Sequence, residues 1–353
     1  MSRPNTPSPR MAPRHRTAPP APPLPPGATP AAGYEVLAHL TRTGWLDVYD
    51  AWSYERDCRC LVKTLRPDRR HEPRLREQLL REGRWLQAFS HPHLVRAYET
   101  VEMPEPLVVL ETLTGETVAH LIGRLRHRLA AQDVAFLGLH LCSALHYLHG
   151  RDLLHLDVKP SNVIIDCRRA KLLDLSVARP PGPAPAGIGT RCYLAPEQAR
   201  GADLSAAADV WGVGITLYET ATGDLPFPEV TSTTPDGESA DDSCAPAASA
   251  SLGDTRGRQR RYPQLEGRAA PVGTRRRLPR ALAGAIDACL EPDPAARPGI
   301  DSLAAAFDAL LPSHRRDVEP PAPPGPTAGQ SLRESATYEK HAPFGAFSGA
   351  DAR

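Results

Sequence analysis

The chain has 353 residues, a formal net charge of +1, 39 prolines and seven cysteines. That length is enough for one large domain or two ordinary ones with a substantial core. The small net charge gives no general attraction to nucleic acid or to membranes. An odd number of scattered cysteines does not indicate a disulfide framework, so we expect buried thiols in a reducing compartment. Cys58 and Cys60 leave a zinc site as an alternative, but no second cysteine pair lies near them.

Three segments have compositions that are typical of disorder. These are a Pro-rich arm at 1–33, an insertion rich in Ser, Thr, Asp and Ala at about 229–259, and a polar tail at 312–353. Eleven prolines in the arm exclude an apolar or amphipathic targeting leader, and no apolar run could span a bilayer. We therefore expect a cytoplasmic protein with no membrane anchor.

Two interaction hypotheses arise from these segments. The proline run Pro19–Pro26 could be a ligand for a proline-binding module, with a plain disordered arm as the alternative. The arginines between Arg256 and Arg277 have no aromatic residues interleaved with them, so they predict a solvated face and no nucleic-acid partner.

The remaining sequence, about 34–311, divides into two patterns. From Tyr34 to Glu111 there are short β-rich runs, interrupted by one helical stretch over Pro73–Phe89. From Gln132 onward the apolar periodicity is helical, and the stretch from Asp209 to Thr222 is apolar on most sides, which indicates a buried helix. We predict an α+β fold with a small sheet-rich lobe (about 34–112) and a larger helical lobe (about 113–311).

Four polar residues stand near one another at the ends of apolar segments in the helical lobe. Asp157, Lys159 and Asn162 lie in one short loop, and Asp174 follows an apolar strand twelve residues later. Asn and Asp supply the hard oxygen ligands that Mg²⁺ prefers. Asp157 could then orient or accept a hydroxyl proton, while Lys159 offsets charge on a transferring phosphoryl group.

The small lobe has a carboxylate in an unusual place. The predicted helix Pro73–Phe89 has an apolar stripe, and Glu82 lies on that stripe. A carboxylate that faces the core needs a cationic partner, and Lys63, on an otherwise apolar strand, is the candidate. The alternative is an exposed glutamate on an irregular helix.

The segment His155–Asn162 resembles the catalytic loop of bacterial eukaryotic-like (Hanks-type) serine/threonine protein kinases, with Asp174-Leu175-Ser176 in place of Asp-Phe-Gly. The family's later motifs follow in order as "GTRCYLAPEQ", "DVWGVG" and "DPAARP". The resemblance implies a bilobal kinase-like fold whose small lobe is an antiparallel sheet with one main helix. It also implies that Asp209 braces the catalytic loop and that Glu197 pairs with Arg297.

The same resemblance implies a complete set of ATP-site residues. Lys63 would hold the phosphates and Glu82 would hold Lys63; Asn162 and Asp174 would bind Mg²⁺ or Mn²⁺. Thr190 in the substrate loop, together with Lys159, favours protein substrates with Ser or Thr acceptors. The adenine would contact Leu40, Val48 and Leu61 above, Ile164 below, the backbone of Glu111 to Leu113 at the hinge, and the gatekeeper Leu110.

The sequence departs from the family at two places. The three glycines of the nucleotide loop fall on Thr41, Thr43 and Leu46, which predicts weak nucleotide binding. Leu156 replaces the arginine that receives an activation-segment phosphate, and residues 177–189 contain no hydroxyl side chain. We therefore expect a protein kinase that needs no phosphorylation of its activation segment. The alternatives are a pseudokinase-type scaffold and a kinase-fold enzyme that acts on small molecules.

Overall fold

The structure is a computed structural model that describes residues 21–125, 128–227 and 262–312. The predicted insertion at 229–259, the tail from residue 313 onward and residues 1–20 of the arm lie outside the described residues. The disorder predicted for those segments, and the domain limits drawn from it, remain predictions.

The first lobe contains five strands and one helix. In chain order they are β1 (Tyr34–Arg42), β2 (Leu46–Ser53), β3 (Cys58–Leu65), α1 (Pro73–Ala88), β4 (Ala97–Val101) and β5 (Leu107–Glu111). The strands form one antiparallel sheet in the order β1-β2-β3-β5-β4. This confirms the predicted small lobe, with its antiparallel sheet and single main helix.

The second lobe is mainly helical. Its elements are β6 (Glu116–Thr117), α2 (Val118–Arg124), α3 (Ala131–His149), β7 (Val163–Asp166), β8 (Arg169–Leu172), β9 (Gly182–Pro183), α4 (Pro196–Arg200), β10 (Asp203–Leu204), α5 (Ala206–Thr222), α6 (Val272–Arg275), α7 (Arg280–Cys289) and α8 (Ile300–Asp308). The helices predicted from Gln132 and from Asp209 correspond to α3 and α5, and α5 is buried along almost its whole length. The predicted fold class is therefore confirmed.

Strand β4 begins at Ala97, after the apolar residues Leu94 and Val95. Leu94 and Val95 do not join the sheet; they pair with Leu172 of β8 in the second lobe. The backbone N–H of Val95 donates to the carbonyl of Leu172 at 3.1 Å. The segment before β4 thus connects the two lobes.

Two glycines bring helices close to the elements that carry the site. A Cβ at Gly83 of α1 would lie 2.4 Å from Oγ1 of Thr100 and 2.7 Å from the side chain of Val108, so only glycine lets α1 pack this closely on the sheet. A Cβ at Gly212 of α5 would lie 2.9 Å from the side chain of Val158. These contacts hold α1 against the small-lobe sheet and α5 against the loop that contains Asp157.

Residues 21–33 do not behave as the predicted disordered arm. Leu24, Ala28 and Ala31 pack on a buried cluster of β1, β2 and β3, and the backbone of Leu24 donates to the hydroxyl of Tyr49 at 3.0 Å. The backbone N–H of Gly27 also donates to the carbonyl of Val36 at 2.8 Å. Strand β1 is an edge strand with unpaired backbone groups, and this segment covers part of that edge.

The same packing bears on the hypothesis of a proline-binding partner. The described part of the run Pro19–Pro26 lies against the protein's own sheet, and its one leucine is used there. The hypothesis of an external proline-binding module therefore finds no support.

None of the helices in the described ranges is both long enough and apolar enough to cross a membrane.

A buried ion pair fixes α4 to the segment that precedes α8. The guanidinium of Arg297 donates to both carboxylate oxygens of Glu197, at 2.6 and 2.9 Å, and both side chains are almost fully buried. Arg297 also donates to the carbonyl of Glu291 at 2.8 Å and lies over the ring of Trp211. The pairing of Glu197 with Arg297 that the resemblance implied is thus present in the structure.

Replacing Arg297 by Met would leave the Glu197 carboxylate buried without its cation. We expect the free energy of unfolding to fall by about 3–5 kcal/mol, the usual effect of breaking a buried ion pair from one side. Urea titration followed by tryptophan fluorescence measures this change.

Arg268→Met is the matched control, because Arg268 is exposed and pairs with Glu291 at the surface. We expect this control to change the stability by less than about 0.5 kcal/mol. The double variant Glu197→Gln, Arg297→Met should be more stable than Arg297→Met alone, since it contains no unpaired buried carboxylate. Equal stabilities of Arg297→Met and Arg268→Met would contradict the role assigned to the pair.

Candidate active site

The loop between α3 and β7 places Asp157 at the centre of the site. One carboxylate oxygen, Oδ2, accepts from the Asn162 amide at 3.0 Å and lies 2.8 Å from the Lys159 ammonium. The other oxygen, Oδ1, is buried and has no hydrogen-bond partner among the described residues. Because an unpaired buried carboxylate oxygen is costly, Oδ1 is a natural acceptor for an incoming hydroxyl group.

Asp209 of α5 braces the backbone of this loop, as the resemblance implied. Its two oxygens accept from the backbone N–H groups of His155 and Leu156, at 2.9 and 2.7 Å. Leu156 has a φ of 65°, a left-handed conformation that a leucine rarely adopts. The carboxylate of Asp209 offsets the strain at that residue and so fixes the direction of the Asp157 side chain.

His155 connects the catalytic loop to the segment that carries Asp174. Its Nδ1 accepts from the backbone N–H of Asp157 at 3.2 Å, which leaves the proton on Nε2 to be donated to the carbonyl of Leu173 at 2.9 Å. The backbone N–H of Leu173 in turn donates to the carbonyl of Asn162 at 2.8 Å. These bonds place the two predicted metal ligands, Asn162 and Asp174, side by side.

Lys63, Glu82 and Asp174 form one charge cluster, in which Glu82 is buried and the other two side chains are partly buried. Side chains alternate along β3, so Cys60 and Val62 face the sheet core while Leu61 and Lys63 face the cleft. The Lys63 ammonium donates to Glu82 of α1 at 2.7 Å and lies 3.7 Å from Asp174. The structure thus brings the predicted strand lysine and helix glutamate together and adds the aspartate from the other lobe.

The charges in this cluster shift one another's pKa values. Burial raises the pKa of Glu82 to about 6, although the Lys63 ammonium acts in the opposite direction. Burial also tends to raise the pKa of Asp174, but Lys63 and the hydrogen bonds from Ser176 are stronger and lower it to about 2. Lys63 keeps a raised pKa, because the two carboxylates overcome the effect of its burial. Lys63 and Asp174 are therefore fully charged at neutral pH.

An apolar cleft of about 390 Å³ lies beside the charge cluster. It is lined by five of the residues predicted to surround the adenine, namely Val48, Leu61, Leu110, Leu113 and Ile164. Val48 and Lys63 are directly opposite each other in the β2–β3 ladder, so they share the cleft face of the sheet. The apolar lining joins the polar group of Asp157, Asn162 and Asp174 at one end, as a nucleotide site requires.

One predicted adenine contact is placed differently. Leu40 is 52% exposed and does not line the cleft, and the β1–β2 register is irregular between His39 and Thr41.

Glu111 uses most of its polar groups within the protein. Its carboxylate accepts from the backbone N–H of Arg96 at 2.9 Å and pairs with Lys171. Its backbone N–H donates to the carbonyl of Arg96 at 3.0 Å, so only the backbone carbonyl of Glu111 is left for the hinge contact that the resemblance implied.

Backbone amides in the turn between β1 and β2 form hydrogen bonds within the turn itself. The hydroxyl oxygen of Thr43 accepts from the N–H groups of Leu46 at 3.1 Å and Trp45 at 3.5 Å. The guanidinium of Arg66 donates to the carbonyl of Thr43 at 3.2 Å from the other side. The glycine-poor loop is therefore a closed turn, and Trp45 from its tip lines the cleft.

The activation segment passes close to the catalytic loop. A Cβ at Gly189, whose φ is 112°, would lie 2.6 Å from the carbonyl oxygen of Leu156. Gln198 donates to the carbonyls of Leu156 and Ile188, each at 2.9 Å. Thr190 is buried, and its hydroxyl accepts from the ammonium of Lys159. The predicted substrate-loop threonine thus contacts Lys159, which itself contacts Asp157.

Sequence reasoning missed several residues that hold the site. His149 contacts Asp209 through Nε2 at 2.8 Å, and Gln78 of α1 donates to the carbonyl of Ser176 at 2.9 Å. Gln78 stands one helical turn before Glu82 on the same face, a spacing that could have pointed to it. Nothing in the local sequence marks His149 or the Thr43 hydroxyl in the same way.

Comparisons with known proteins agree with this geometry. A family model for the protein kinase domain matches residues 34–306. Serine/threonine-protein kinase PknB of Mycobacterium leprae is 36% identical over 181 residues, which are 47% of this chain and 28% of PknB. A probable serine/threonine-protein kinase of Streptomyces coelicolor is 32% identical over 207 residues, 55% of this chain and 31% of that protein. The alignments thus span less than a third of these curated relatives.

The fold is also shared with a solved structure. The kinase domain of Mycobacterium tuberculosis PknI matches with a TM-score of 0.59 at 22% identity, over 82% of this chain and 100% of the PknI chain. The family model covers more than three quarters of the sequence, including every predicted catalytic and metal-binding residue. This chain therefore belongs to the protein kinase domain family.

Proposed function

We propose that the chain is a protein serine/threonine kinase that transfers the γ-phosphate of ATP to Ser or Thr hydroxyls of proteins and requires Mg²⁺ or Mn²⁺. The observation that carries this proposal is Oδ1 of Asp157, a buried carboxylate oxygen with no described partner beside Lys159 and Asn162. A pseudokinase-type scaffold has no need for such a group. The names of the curated relatives support the same activity.

The residues present fit a metal–nucleotide complex. Asn162 turns its amide nitrogen toward Asp157, which leaves its Oδ1 for another partner, and Asp174 is a charged carboxylate beside it. Amide and carboxylate oxygens are the donors that Mg²⁺ prefers. When bound, the metal supplies positive charge that offsets the charge of the triphosphate. Lys63 would hold phosphate oxygens, with Glu82 keeping its ammonium in place.

Side chains of this chain would bind the hydroxyl group that accepts the phosphate and receive its proton. Oδ1 of Asp157 would receive a hydrogen bond from the Ser or Thr hydroxyl and take its proton as the new O–P bond forms and the bond to the leaving phosphate breaks. Lys159 is held by Asp157 and by Thr190, so it stays where negative charge develops. In the loop, Oδ2 of Asp157 is hydrogen-bonded and Oδ1 is unpaired. This difference sets the direction from which the acceptor hydroxyl group would approach.

Asp157→Asn tests the proposed activity, because it keeps the shape of the side chain and removes the acceptor of the proton. We expect phosphate transfer from ATP to a generic basic protein substrate, or to the chain itself, to fall by about 10²–10⁴-fold. Radiolabelled phosphate incorporation with Mg²⁺ or Mn²⁺ measures it. Asp301→Asn is the matched control, since Asp301 is an exposed residue of α8 that pairs with His146. If the unmodified chain transfers no more phosphate than Asp157→Asn, the enzyme proposal is wrong and the scaffold alternative replaces it.

Thr41→Gly combined with Thr43→Gly should tighten ATP binding. The hydroxyl of Thr43 occupies loop N–H groups that could otherwise donate to phosphate, and a charge-assisted hydrogen bond is worth about 1.5–3 kcal/mol. We therefore expect a gain of about ten- to a hundredfold in affinity, measured by calorimetric titration.

Thr43→Val separates the two effects of this threonine, because it removes the hydroxyl and keeps the β-branch. Thr274→Val is the control, since its hydroxyl bonds to the carbonyl of Pro271 at the surface of α6. Unchanged or weaker binding by the glycine variant would show that the closed turn already presents a productive shape to the nucleotide.

The raised pKa of Glu82 predicts an acid limit on activity. A carboxyl group with a pKa of about 6 is ionised above that pH and becomes neutral at a higher pH than an exposed glutamic acid does. As the pH falls through about 6, Lys63 loses one of its two anionic partners, so kcat/KM for ATP should fall. Initial rates between pH 8 and about pH 5 measure the profile. Glu82→Gln should be slower than the natural chain throughout and lack this inflection; the same inflection in Glu82→Gln would contradict the assignment.

A further inference from the structure

The activation segment of this chain lacks the two groups that a phosphate switch would use. Leu156, which replaces the phosphate-receiving arginine of the family, is buried among apolar side chains. Residues 177–189 contain no hydroxyl group. Thr190, the next hydroxyl, is 1% exposed and accepts from Lys159. A phosphate therefore has neither an attachment point within 177–189 nor an arginine at position 156 to receive it.

Most of the segment is held by backbone contacts within the second lobe. Arg179 and Leu154 exchange a pair of backbone hydrogen bonds at 2.8 and 3.1 Å, and Gly182–Pro183 pairs with Asp203–Leu204. Four prolines between residues 180 and 185 further restrict the backbone. These contacts fix the segment to its own lobe but do not connect it to α1, the helix that carries Glu82.

A side-chain hydrogen bond from Gln78 makes that connection, beside the contact of the Glu82 carboxylate with the backbone of Leu175. Gln78 of α1 donates from Nε2 to the backbone carbonyl of Ser176 at 2.9 Å, across 98 residues of sequence. The backbone N–H of Ser176 donates to Oδ1 of Asp174 at 3.0 Å. Gln78 lies one helical turn before Glu82, so both side chains leave the same face of α1 toward Asp174 and its neighbours. Gln78 also lines the cleft.

We propose that Gln78 is a positioning residue that fixes α1 to the Asp174–Ser176 segment and so performs, by a neutral hydrogen bond, the ordering that phosphorylation performs elsewhere. The amide acts through Glu82: while α1 is held at Ser176, the Glu82 carboxylate stays 2.7 Å from Lys63, and Lys63 stays between its two anionic partners. This inference rests on the proposed function, since it assigns the regulation of the same site. The neutral hydrogen bond of Gln78 is present as soon as the chain folds, so the segment needs no phosphorylation to become ordered.

The test compares two isosteric variants with a rescue variant. Gln78→Met keeps the length of the side chain and removes the donor, and Gln78→Glu places a second acceptor against the Ser176 carbonyl. We expect each variant to lower kcat about 3- to 10-fold, the effect of one neutral hydrogen bond, with Gln78→Glu at the larger end. Gln78→His should recover most of the rate, because its Nε2–H is the same number of bonds from Cβ. Gln87→Met, on the same helix with only a 3.4 Å contact to Tyr98, should match the natural chain.

Two further readouts separate positioning from a loss of folding. In a Glu82→Gln background, Gln78→Met should cause little additional loss, because the pair that it positions is already broken. Amide hydrogen exchange of the full chain without nucleotide should be faster in residues 174–177 and in α1 for Gln78→Met, but not for Gln78→His or Gln87→Met. The exchange measurement needs no catalysis, so it tests the contact even if the proposed activity fails.

The outcomes are distinct. If the natural chain transfers no phosphate but exchange rises in Gln78→Met, the coupling of α1 to the segment stands and the proposed enzyme function is wrong. If the natural chain is active and Gln78→Met behaves like Gln87→Met in both rate and exchange, the positioning role is wrong. Phosphatase-treated natural protein should show no lag on an external substrate. A lag that disappears after incubation with ATP, with phosphate found on Thr190, would overturn the proposal.

Discussion

A cluster of three charged groups, Lys63, Glu82 and Asp174, is the constraint on which the rest of the site depends. Each comes from a different element: a strand, a helix and the segment after β8. Glu82 is fully buried, and Lys63 and Asp174 are partly buried. A charged side chain removed from water must find an opposite charge within a few ångströms, and the Lys63 ammonium lies 2.7 and 3.7 Å from the two carboxylates. The β3 register, the approach of α1 through Gly83 and the position of the Asp174 segment are therefore fixed together. The apolar cleft is the space that remains beside this cluster.

How far the site could be predicted from the sequence depends on how local each signal is. Glu82 was identifiable because a carboxylate on an apolar stripe needs a cation, and Lys63 is the only lysine in the predicted small lobe, residues 34–112. Asp157 and Asn162 were identifiable because polar residues crowd a short loop between apolar segments. Gln78 could be placed only on the helix face of Glu82, and His149 could not be identified at all, because a polar side chain on a helix is ordinary and its partner lies 98 or 60 residues away. Distances of that kind arise from the folded topology and leave no trace in local periodicity.

Two sequence-based expectations, the disorder of residues 21–33 and the adenine contact of Leu40, differ from the structure for the same physical reason. Composition averaged over residues 1–33 indicated disorder, yet one leucine and a few backbone hydrogen bonds secure residues 21–33 to an edge strand. An edge strand presents free N–H and C=O groups, so even a proline-rich segment can pair with it where its amides permit. The resemblance implied that Leu40 contacts the adenine, but Leu40 is exposed and the register of β1 is irregular at that point. In both cases a few local contacts outweighed a pattern that extends over many residues.

The sequence departs from the family in two loops, and each of these loops is held by contacts within the chain. The turn at Thr43 satisfies its own amides with a hydroxyl group, and the activation segment is held by backbone pairing, prolines and one glutamine amide. Leu156 and Asp174 adopt left-handed conformations that cost about 1–3 kcal/mol each. The hydrogen bond that Leu156 donates to Asp209 and the one that Asp174 accepts from Ser176 are already in place to offset that strain. All of these contacts form when the chain folds, and none waits for a phosphate. Under the proposed function, the phosphates of a nucleotide would compete with Thr43 for the loop amides, and nucleotide capture would be the step that still varies with conditions. Control of turnover would then fall on the turn at Thr43, whereas the activation segment is held by contacts that form on folding.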